Sequence, residues 1–268
     1  IERFEEGQVA VIAGFQGISE SGEVTTLGRG GSDTTAAAIG VALDAQTIEI
    51  YTDVEGIKTA DPCLVNNART LENITYSEAC QLAYEGARIV HSRAVEIAMQ
   101  KNIPLKIKCT FSDHPGTLIS VNNVKERLIT GITYSSFITQ LKVKLPQGNS
   151  NITKDVFTTL AAAKISVDFI TVLPENLIFT VKTDIAPKAI KLIENIGVVP
   201  IVKNNCAKVA AVGAGMTGIP GVMAKIVEAL TEQNITILQS ADSYTSIWCL
   251  VSQEELEKAV NALHAKFI

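Results

Sequence analysis

A glycine-rich segment that leads into a helix start holds the residues best suited to chemistry. Residues 26–35 read Thr-Leu-Gly-Arg-Gly-Gly-Ser-Asp-Thr-Thr and run directly into an alanine-rich stretch. Gly30 and Gly31 permit a left-handed backbone and close approach to a ligand, and the free N–H groups of a helix start attract anions. Arg29 adds a planar guanidinium that suits a carboxylate. The segment predicts an anion site; the alternative is an ordinary glycine turn in which the following Ser or Asp caps the helix.

Composition and charge exclude several classes of protein. The chain has 268 residues, of which 47% are hydrophobic, enough for two cores. A net charge of −5 without a basic block argues against a nucleic-acid partner. With no bilayer-length apolar run and no signal peptide at the start, we expect a cytoplasmic protein without a membrane partner. The five cysteines lack C-x-x-C spacing and the three histidines lie far apart, so we expect reduced thiols and no metal site.

Strands and helices alternate in the first part of the chain. Apolar runs of strand length occupy 9–13, 47–51 and 105–109, and helical patterns cover 33–45, 77–86 and 92–101. Such alternation predicts an α/β layer with a largely parallel sheet, in which ligands lie at the carboxyl ends of the strands. The candidate motifs fall at those ends, because 14–17 follows the first strand and Thr52 and Asp53 follow the second.

An internal repeat indicates a different architecture after a linker at 122–126. Leu160 aligns with Leu230 and Ile165 with Ile235, an offset that places two copies of one unit in tandem. Each copy reads strand, helix, strand, strand, helix, the order of a ferredoxin-like split βαβ unit. The elements are predicted at 138–145, 152–164, 167–172, 177–182 and 186–196, and then at 207–213, 220–233, 235–240, 245–251 and 253–265.

The two copies differ in how they close. A sixth strand at 198–202 closes the first, whereas the second reaches the end of the sequence without one. The unassigned strand at 128–134 is available to complete the second copy, which would make it discontinuous. The predicted domains are therefore 1–122, 138–203, and 128–137 together with 204–268.

Several blocks of sequence carry a resemblance to aspartate kinases, namely 14–17, 26–35, 50–62 and 86–91. The half after about residue 128 resembles the paired ACT domains of the same enzymes. The resemblance implies part of an amino-acid kinase fold, with a mostly parallel sheet and helices on both faces, followed by two βαββαβ ACT domains. It also implies ATP-dependent phosphorylation of the L-aspartate side-chain carboxylate, with Mg²⁺ bound to ATP. This reaction begins the pathway to lysine, diaminopimelate, threonine and methionine, and the ACT domains subject it to feedback.

The same resemblance assigns roles to the glycine-rich segment. Arg29, Gly30, Gly31 and Ser32 match the family's substrate-binding segment, with Arg29 as the clamp on an aspartate carboxylate. Asp33 matches an acid that orients a catalytic lysine or the magnesium, and the alternative is that it only caps the helix.

A second set of residues matches the family's nucleotide contacts. It comprises Thr52, Asp53, Lys58, Thr59, Ala60, Asp61, Pro62, Cys63 and Arg88. The alternative for the run that ends in Asp-Pro is a plain surface loop. The sequence departs from the family pattern at Arg88, where a lysine is usual, at Cys63, where an arginine is common, and at Ser92, where a proline is common.

In the second ACT unit, 213–216 leads to Pro220 and Gly221 at a predicted helix start, whose free N–H groups suit the carboxylate of an amino acid. Gly215, Met216 and Gly221 are thus the effector-binding candidates, and the alternative is a plain strand-to-helix turn. In the first unit, 145–151 replaces the usual Asp-x-Pro-Gly type turn. The effector is left open among lysine, threonine and meso-diaminopimelate, and we expect a homodimer through the ACT domains.

The chain lacks the opening strand with a Lys-Phe-Gly-Gly type sequence that the family carries, and also its downstream acidic substrate contact. We therefore expect a polypeptide shortened at its amino end and inactive as a kinase by itself. The alternative is a shortened regulatory subunit that binds an amino-acid effector without catalysis. The ACT pair argues against other amino-acid kinases, such as those for glutamate or uridylate.

Overall fold

The computed structural model describes residues 2–87, 89–121, 127–145, 151–216 and 218–268, and the chain divides into two compact units. The first unit comprises residues up to Thr59 and those from Arg69 to Glu126, whereas the second comprises Ala60–Ala68 and Arg127–Ile268. The short segment Ala60–Ala68 thus belongs with the ACT-like half. The domain boundaries given above stay a prediction.

The first unit is a small mixed α/β layer. Its elements are α1 (Glu2–Glu5), β1 (Gln16–Ile18), β2 (Val24–Thr26), α2 (Gly31–Ala42), β3 (Ile48–Thr52), β4 (Asn73–Ile74), α3 (Tyr76–Tyr84), α4 (Ser92–Gln100), β5 (Leu105–Cys109) and β6 (Thr117–Ile119). Four strands form one sheet in the order β3-β5-β6-β4, with β3 parallel to β5. Both strands alternate buried and more exposed residues, so Ile48, Ile50, Leu105 and Ile107 face the core. The predicted strands at 47–51 and 105–109 and the three predicted helices are confirmed.

The strand predicted at 9–13 is wrong. These residues are extended chain outside any strand, and Val9 and Val11 are 88% and 97% exposed. A continuous apolar run becomes a central strand only where neighbours hydrogen-bond to it and helices cover it. Within the described residues no ladder partner lies beside 9–13, and the run leads instead into the β1–β2 hairpin.

The second unit contains one six-stranded antiparallel sheet in the order β11-β12-β10-β7-β9-β8. Its elements are β7 (Gly131–Lys144), α5 (Asn151–Ala162), β8 (Asp168–Val172), β9 (Asn176–Lys182), α6 (Ala186–Asn195), β10 (Ile201–Val212), α7 (Val222–Glu232), β11 (Gln239–Asp242), β12 (Ser246–Ser252) and α8 (Leu256–Phe267). Its two larger apolar clusters lie under the two helix pairs, and a smaller one contains Phe169 and Leu250. Of the two larger clusters, one contains α5 and α6 residues such as Leu160 and Ile193, and the other contains α7 and α8 residues such as Leu230 and Leu263.

Two long strands are shared by the two repeats. The first part of β7 pairs with the second part of β10, where Tyr134 lies opposite Val209, so residues 131–134 form the strand that the second repeat lacked, as predicted. This strand begins at Gly131, later than the predicted residue 128, and continues without a break into the strand predicted at 138–145. The second part of β7 pairs with the first part of β10, where Lys142 lies opposite Ile201. The separate strand predicted at 198–202 is therefore wrong in extent, because it begins at Ile201 and runs without a break into the next repeat.

The two long strands have irregular backbone where one repeat meets the next. The ladder between β7 and β10 shifts register between Lys203 and Lys208. Phe137 and Asn205 have φ angles of 59° and 55° there, a conformation that side-chain-bearing residues seldom adopt. Bulges of this kind increase twist and bend a strand, so each long strand changes direction between one repeat and the next. Among the described residues, no helix is both long enough and apolar enough to span a bilayer.

Candidate functional site

Backbone groups form the start of α2, as an anion site requires. Gly30 is the N-cap residue with φ 71° and ψ 17°, and no side chain caps the helix. The amide of Gly31 donates to Gly28 O at 3.0 Å, and the amide of Thr34 donates to Gly30 O at 2.9 Å. The alternative in which Ser32 or Asp33 caps the helix is therefore wrong. No side chain accepts from the first turn of α2, an arrangement that favours a bound anion.

Asp33 contacts His91 at the start of α4 instead. Its Oδ2 accepts a hydrogen bond from the His91 amide at 3.2 Å, and His91 Nδ1 in turn accepts from the Arg93 amide at 3.2 Å, capping α4. A Cβ added to Gly30 would lie 2.4 Å from three atoms of the His91 side chain. The starts of α2 and α4 therefore lie side by side, and the half-buried Asp33 carboxylate joins them. Sequence reasoning included His91 in a resembling block but gave it no role.

The first glycine block packs against the same helix start. The Phe15 amide donates to Thr35 Oγ1 at 3.1 Å, and Phe15 O accepts from the Leu27 amide at 3.0 Å. A Cβ on Gly31 would lie 2.8 Å from the Phe15 ring, which explains why the second glycine is required. Arg29, by contrast, is exposed beside this packed turn. The structure thus brings together two of the sequence blocks that were separate along the chain.

Thr52 and Asp53 lie at the carboxyl end of β3, as predicted. Thr52 O accepts from the amide and the hydroxyl of Thr110, at 2.8 and 3.1 Å, which ties the end of β3 to the end of β5. The Thr52 hydroxyl donates to Asp53 Oδ1 at 3.0 Å and so orients that carboxylate. Asp53 is exposed and lies at the edge of the sheet where parallel strands bind ligands.

The remaining nucleotide candidates are divided between the two units. Lys58 and Thr59 belong to the first unit, where Lys58 Nζ lies 3.5 Å from Glu55 Oε2 and Thr59 is buried. Ala60, Asp61, Pro62 and Cys63 belong to the second unit. Pro62 and Cys63 are exposed, whereas Ala60 is 5% exposed. Arg88, the linker at 122–126 and most of the turn at 145–151 lie outside the described residues.

The three effector candidates do not form one pocket of free amides. The amide of Gly215 donates to Arg127 O at 3.2 Å, so the expectation of a free amide there is wrong. The Met216 side chain is buried in the core of the second repeat. Gly221, with φ 89°, is the N-cap of α7 and has open space where a side chain would be. The start of α7 is the part of the predicted site that the structure leaves accessible.

Two of the described thiols, Cys80 and Cys249, have strongly raised pKa values. No group of three or more His, Cys, Asp or Glu side chains lies close enough to hold a metal ion within the described ranges. Burial raises the pKa of the Cys249 thiol to about 12. Burial, with a smaller contribution from Glu96, raises the pKa of Cys80 to about 11. Both thiols are protonated at neutral pH and pack as small apolar groups.

Two family models match the chain. The model of the amino acid kinase family matches residues 1–109, and a model of the ACT domain matches residues 201–265. The first covers the start of α2 and the carboxyl end of β3. The second covers the second structural repeat from the start of β10.

Curated relatives match almost the whole chain. Aspartokinase 1 of Bacillus subtilis (strain 168) is 50% identical over 264 residues, which are 96% of this chain and 65% of that protein. Aspartokinase 2 of the same organism is 37% identical over 277 residues, 99% of this chain and 68% of that protein. The chain thus spans about two thirds of the length of the relatives it matches.

Solved structures give the same result. The aspartate kinase of Clostridium acetobutylicum matches with a TM-score of 0.87 and 30% identity over 95% of this chain and 62% of that one. E. coli aspartokinase III in complex with aspartate and ADP matches with a TM-score of 0.80 and 30% identity over 94% and 59%. The same E. coli enzyme in complex with lysine and aspartate matches with 0.77 and 29% over 95% and 59%. The fold, both family models and these sequence identities agree, and the chain belongs to the aspartokinase family.

Proposed function

We propose that the protein carrying this chain is an aspartate kinase, which transfers the γ-phosphoryl group of ATP to the side-chain carboxylate of L-aspartate. The observation that carries the proposal is the start of α2. The helix start without a side-chain cap, the exposed Arg29 and the Asp33–His91 contact together suit a small dicarboxylic substrate. The E. coli relative was solved with aspartate and ADP, which supports the assignment.

In this proposal the α2 start is the aspartate sub-site. The guanidinium of Arg29 pairs with one carboxylate in a two-point contact, which an ammonium could not reproduce. Gly30 and Gly31 keep side chains away from the backbone that meets the substrate, and Ser32 adds a hydroxyl at the exposed rim. Asp33 acts by fixing the α4 start against α2, because one of its oxygens already accepts from the His91 amide.

The carboxyl end of β3 is proposed as the nucleotide sub-site, and the segment 58–63 is proposed to add further nucleotide contacts. The exposed Asp53 carboxylate, oriented by the Thr52 hydroxyl, offers an oxygen ligand of the kind that Mg²⁺ prefers and would hold an ion brought in with ATP. The magnesium would offset charge on the phosphates. Lys58 supplies a cation for the phosphates, and Arg88 is proposed for the same role from the sequence alone.

We also propose feedback control by an amino-acid effector that binds to the ACT repeats. The E. coli relative was solved with lysine as well as aspartate, which favours an amino-acid effector. The start of α7 at Gly221 is exposed and has no side-chain cap, which suits an effector carboxylate. We also propose a homodimer formed through the ACT repeats, because β8 and β11 are unpaired edges of the six-stranded sheet.

The substitution Arg29→Ala tests the assignment of the two sub-sites. Removing a charge-assisted carboxylate contact should raise the KM for aspartate about 10- to 100-fold and leave the KM for ATP within about twofold. Asp53→Ala should do the reverse. ADP release that depends on aspartate is the assay, on enzyme that contains this sequence.

Arg93→Ala is the matched control, since Arg93 is an exposed arginine of the same unit and its loss changes the charge equally. It should leave both KM values unchanged. Equal effects of Arg29→Ala on both substrates would show that the sub-sites are misassigned. Effector binding without any aspartate-dependent ADP release would favour the regulatory-subunit alternative.

A further inference from the structure

The loop 60–68 begins and ends on a short antiparallel stem. The Thr59 amide donates to Arg69 O at 2.9 Å, and the Arg69 amide donates to Thr59 Oγ1 at 3.0 Å. Lys58 and Thr70 form an isolated bridge one residue further out. This stem belongs to the first unit, whereas the loop that it closes belongs to the second.

Asp61 organises the loop from inside. Its Oδ1 accepts from the Cys63 amide at 2.9 Å, and its backbone oxygen accepts from the amides of Leu64 and Val65 at 3.0 and 2.9 Å. These bonds form one tight turn immediately after the stem. The Asp61 carboxylate was predicted to contact the nucleotide, yet one of its oxygens already accepts the hydrogen bond from the Cys63 amide.

Groups of the ACT-like unit hold the rest of the loop. The Tyr134 hydroxyl on β7 donates to Asp61 Oδ2 at 2.9 Å, and Asn261 Nδ2 on α8 donates to Leu64 O at 2.8 Å. Ala60 and Val65 are 5% and 1% exposed and belong to the apolar core formed with α7, α8 and β10. Both oxygens of Asp61 thus accept hydrogen bonds from the protein itself.

We infer that Tyr134 and Asn261 are positioning residues for the nucleotide segment, acting through Asp61 and Leu64. The inference rests on the proposed function, in which 58–63 contacts ATP. Asp61 shapes the loop, and the part of the loop available to a nucleotide is the exposed turn at Pro62 and Cys63. The strand and helix of the regulatory unit fix where that turn lies.

The test compares Tyr134→Phe with Tyr84→Phe in the full 268-residue chain. Tyr84 is a matched control because its hydroxyl also donates to a carboxylate, Glu96 Oε1 at 3.3 Å, but lies on α3 away from this loop. Titration calorimetry with Mg·ATP and with aspartate gives the two affinities, and hydrogen exchange reports the amides of 60–68. We expect Tyr134→Phe to weaken Mg·ATP about tenfold, the loss typical of one hydrogen bond to a charged group, with faster exchange in the loop and unchanged aspartate affinity.

A double-mutant cycle shows whether Tyr134 acts through Asp61. Asp61→Asn keeps an acceptor oxygen for the Cys63 amide, so the turn is retained, but it removes the charged carboxylate oxygen to which the Tyr134 hydroxyl donates. The double variant should bind Mg·ATP no more weakly than the weaker single variant. Unchanged Mg·ATP affinity in Tyr134→Phe, with or without faster loop exchange, would overturn the inference while leaving the proposed function intact. Failure of the unaltered chain to bind Mg·ATP would refute the nucleotide site assigned to it, and this inference with it.

Discussion

Two glycines in one turn allow a direct test of why the α2 start needs glycine. Gly28 and Gly30 both have left-handed φ angles, 79° and 71°. Their surroundings differ, because a Cβ on Gly28 would meet nothing within 4 Å whereas a Cβ on Gly30 would lie 2.4 Å from the His91 side chain. Substitution by alanine therefore adds the same backbone cost at both sites and a steric cost at only one.

The two costs can be estimated separately. A side-chain-bearing residue in the left-handed region costs about 1–2 kcal/mol, which is all that Gly28→Ala should cost. Forcing a methyl group into packed side-chain atoms costs about 1–3 kcal/mol more. The difference arises because His91 must move, and moving it strains the Asp33 bond and the α4 cap. We expect Gly30→Ala to lower the free energy of unfolding by about 2–5 kcal/mol.

Scanning calorimetry of the whole chain measures this difference as a shift of the transition temperature of the first unit. Gly30→Ala should melt about 4–12 °C below Gly28→Ala. His91→Gly removes all three crowding atoms, and glycine is tolerated at an N-cap. In that background Gly30→Ala should cost no more than Gly28→Ala. Equal melting of the two alanine variants, or no rescue by His91→Gly, would refute the proposed contact between the α2 and α4 starts.

Two further predictions concern the second unit. Burial raises the pKa of Cys249 from 9.0 to about 12, so the unfolded chain loses the thiol proton at a lower pH than the folded chain. The free energy of unfolding should therefore fall above pH 9 by up to about 1.4 kcal/mol per pH unit. Cys249→Ala should remove that part of the slope in denaturant titrations at pH 8, 9 and 10, and equal slopes would contradict the assignment. The fragment 127–268 should fold and dimerise, but with a lower melting temperature than in the whole chain because it lacks the core residues Ala60 and Val65. The fragment 206–268 should aggregate, since its β10 residues lose their β7 partner; a stable monomer in sedimentation analysis would contradict this.

The sequence predicted elements well where the signal was local. β3 and β5 are short runs rich in isoleucine with alternating burial, and the helices have regular apolar spacing. The run at 9–13 has the same local character but forms no strand, because strand formation depends on partners that lie elsewhere in the chain. The edge strand at 128–134 was predicted by a non-local argument, namely that the second repeat lacked a strand, and that argument was confirmed.

The features that the sequence did not predict depend on distant contacts. The bends of β7 and β10 occur at Phe137 and Asn205, which carry no glycine or proline signal. The loop 60–68 looked like a nucleotide segment or a plain surface loop, although Leu64 and Val65 are an apolar pair that a solvated loop seldom contains. This apolar pair was the sequence signal that the loop packs in the apolar core of the second unit.

The two glycine-rich segments are similar in sequence but differ in what surrounds them. Residues 28–31 and 213–216 both predicted anion sites, because glycine allows the backbone to approach a ligand closely. In the second segment the close neighbour is the protein itself, since a Cβ on Gly213 would lie 2.3 Å from Leu128 O and one on Gly215 would lie 2.7 Å from Arg127 O. In the first segment His91 crowds Gly30, yet the amides that follow remain uncapped. A glycine pattern therefore reports close approach, and only the hydrogen bonds of the neighbouring amides distinguish a ligand site from a packed turn.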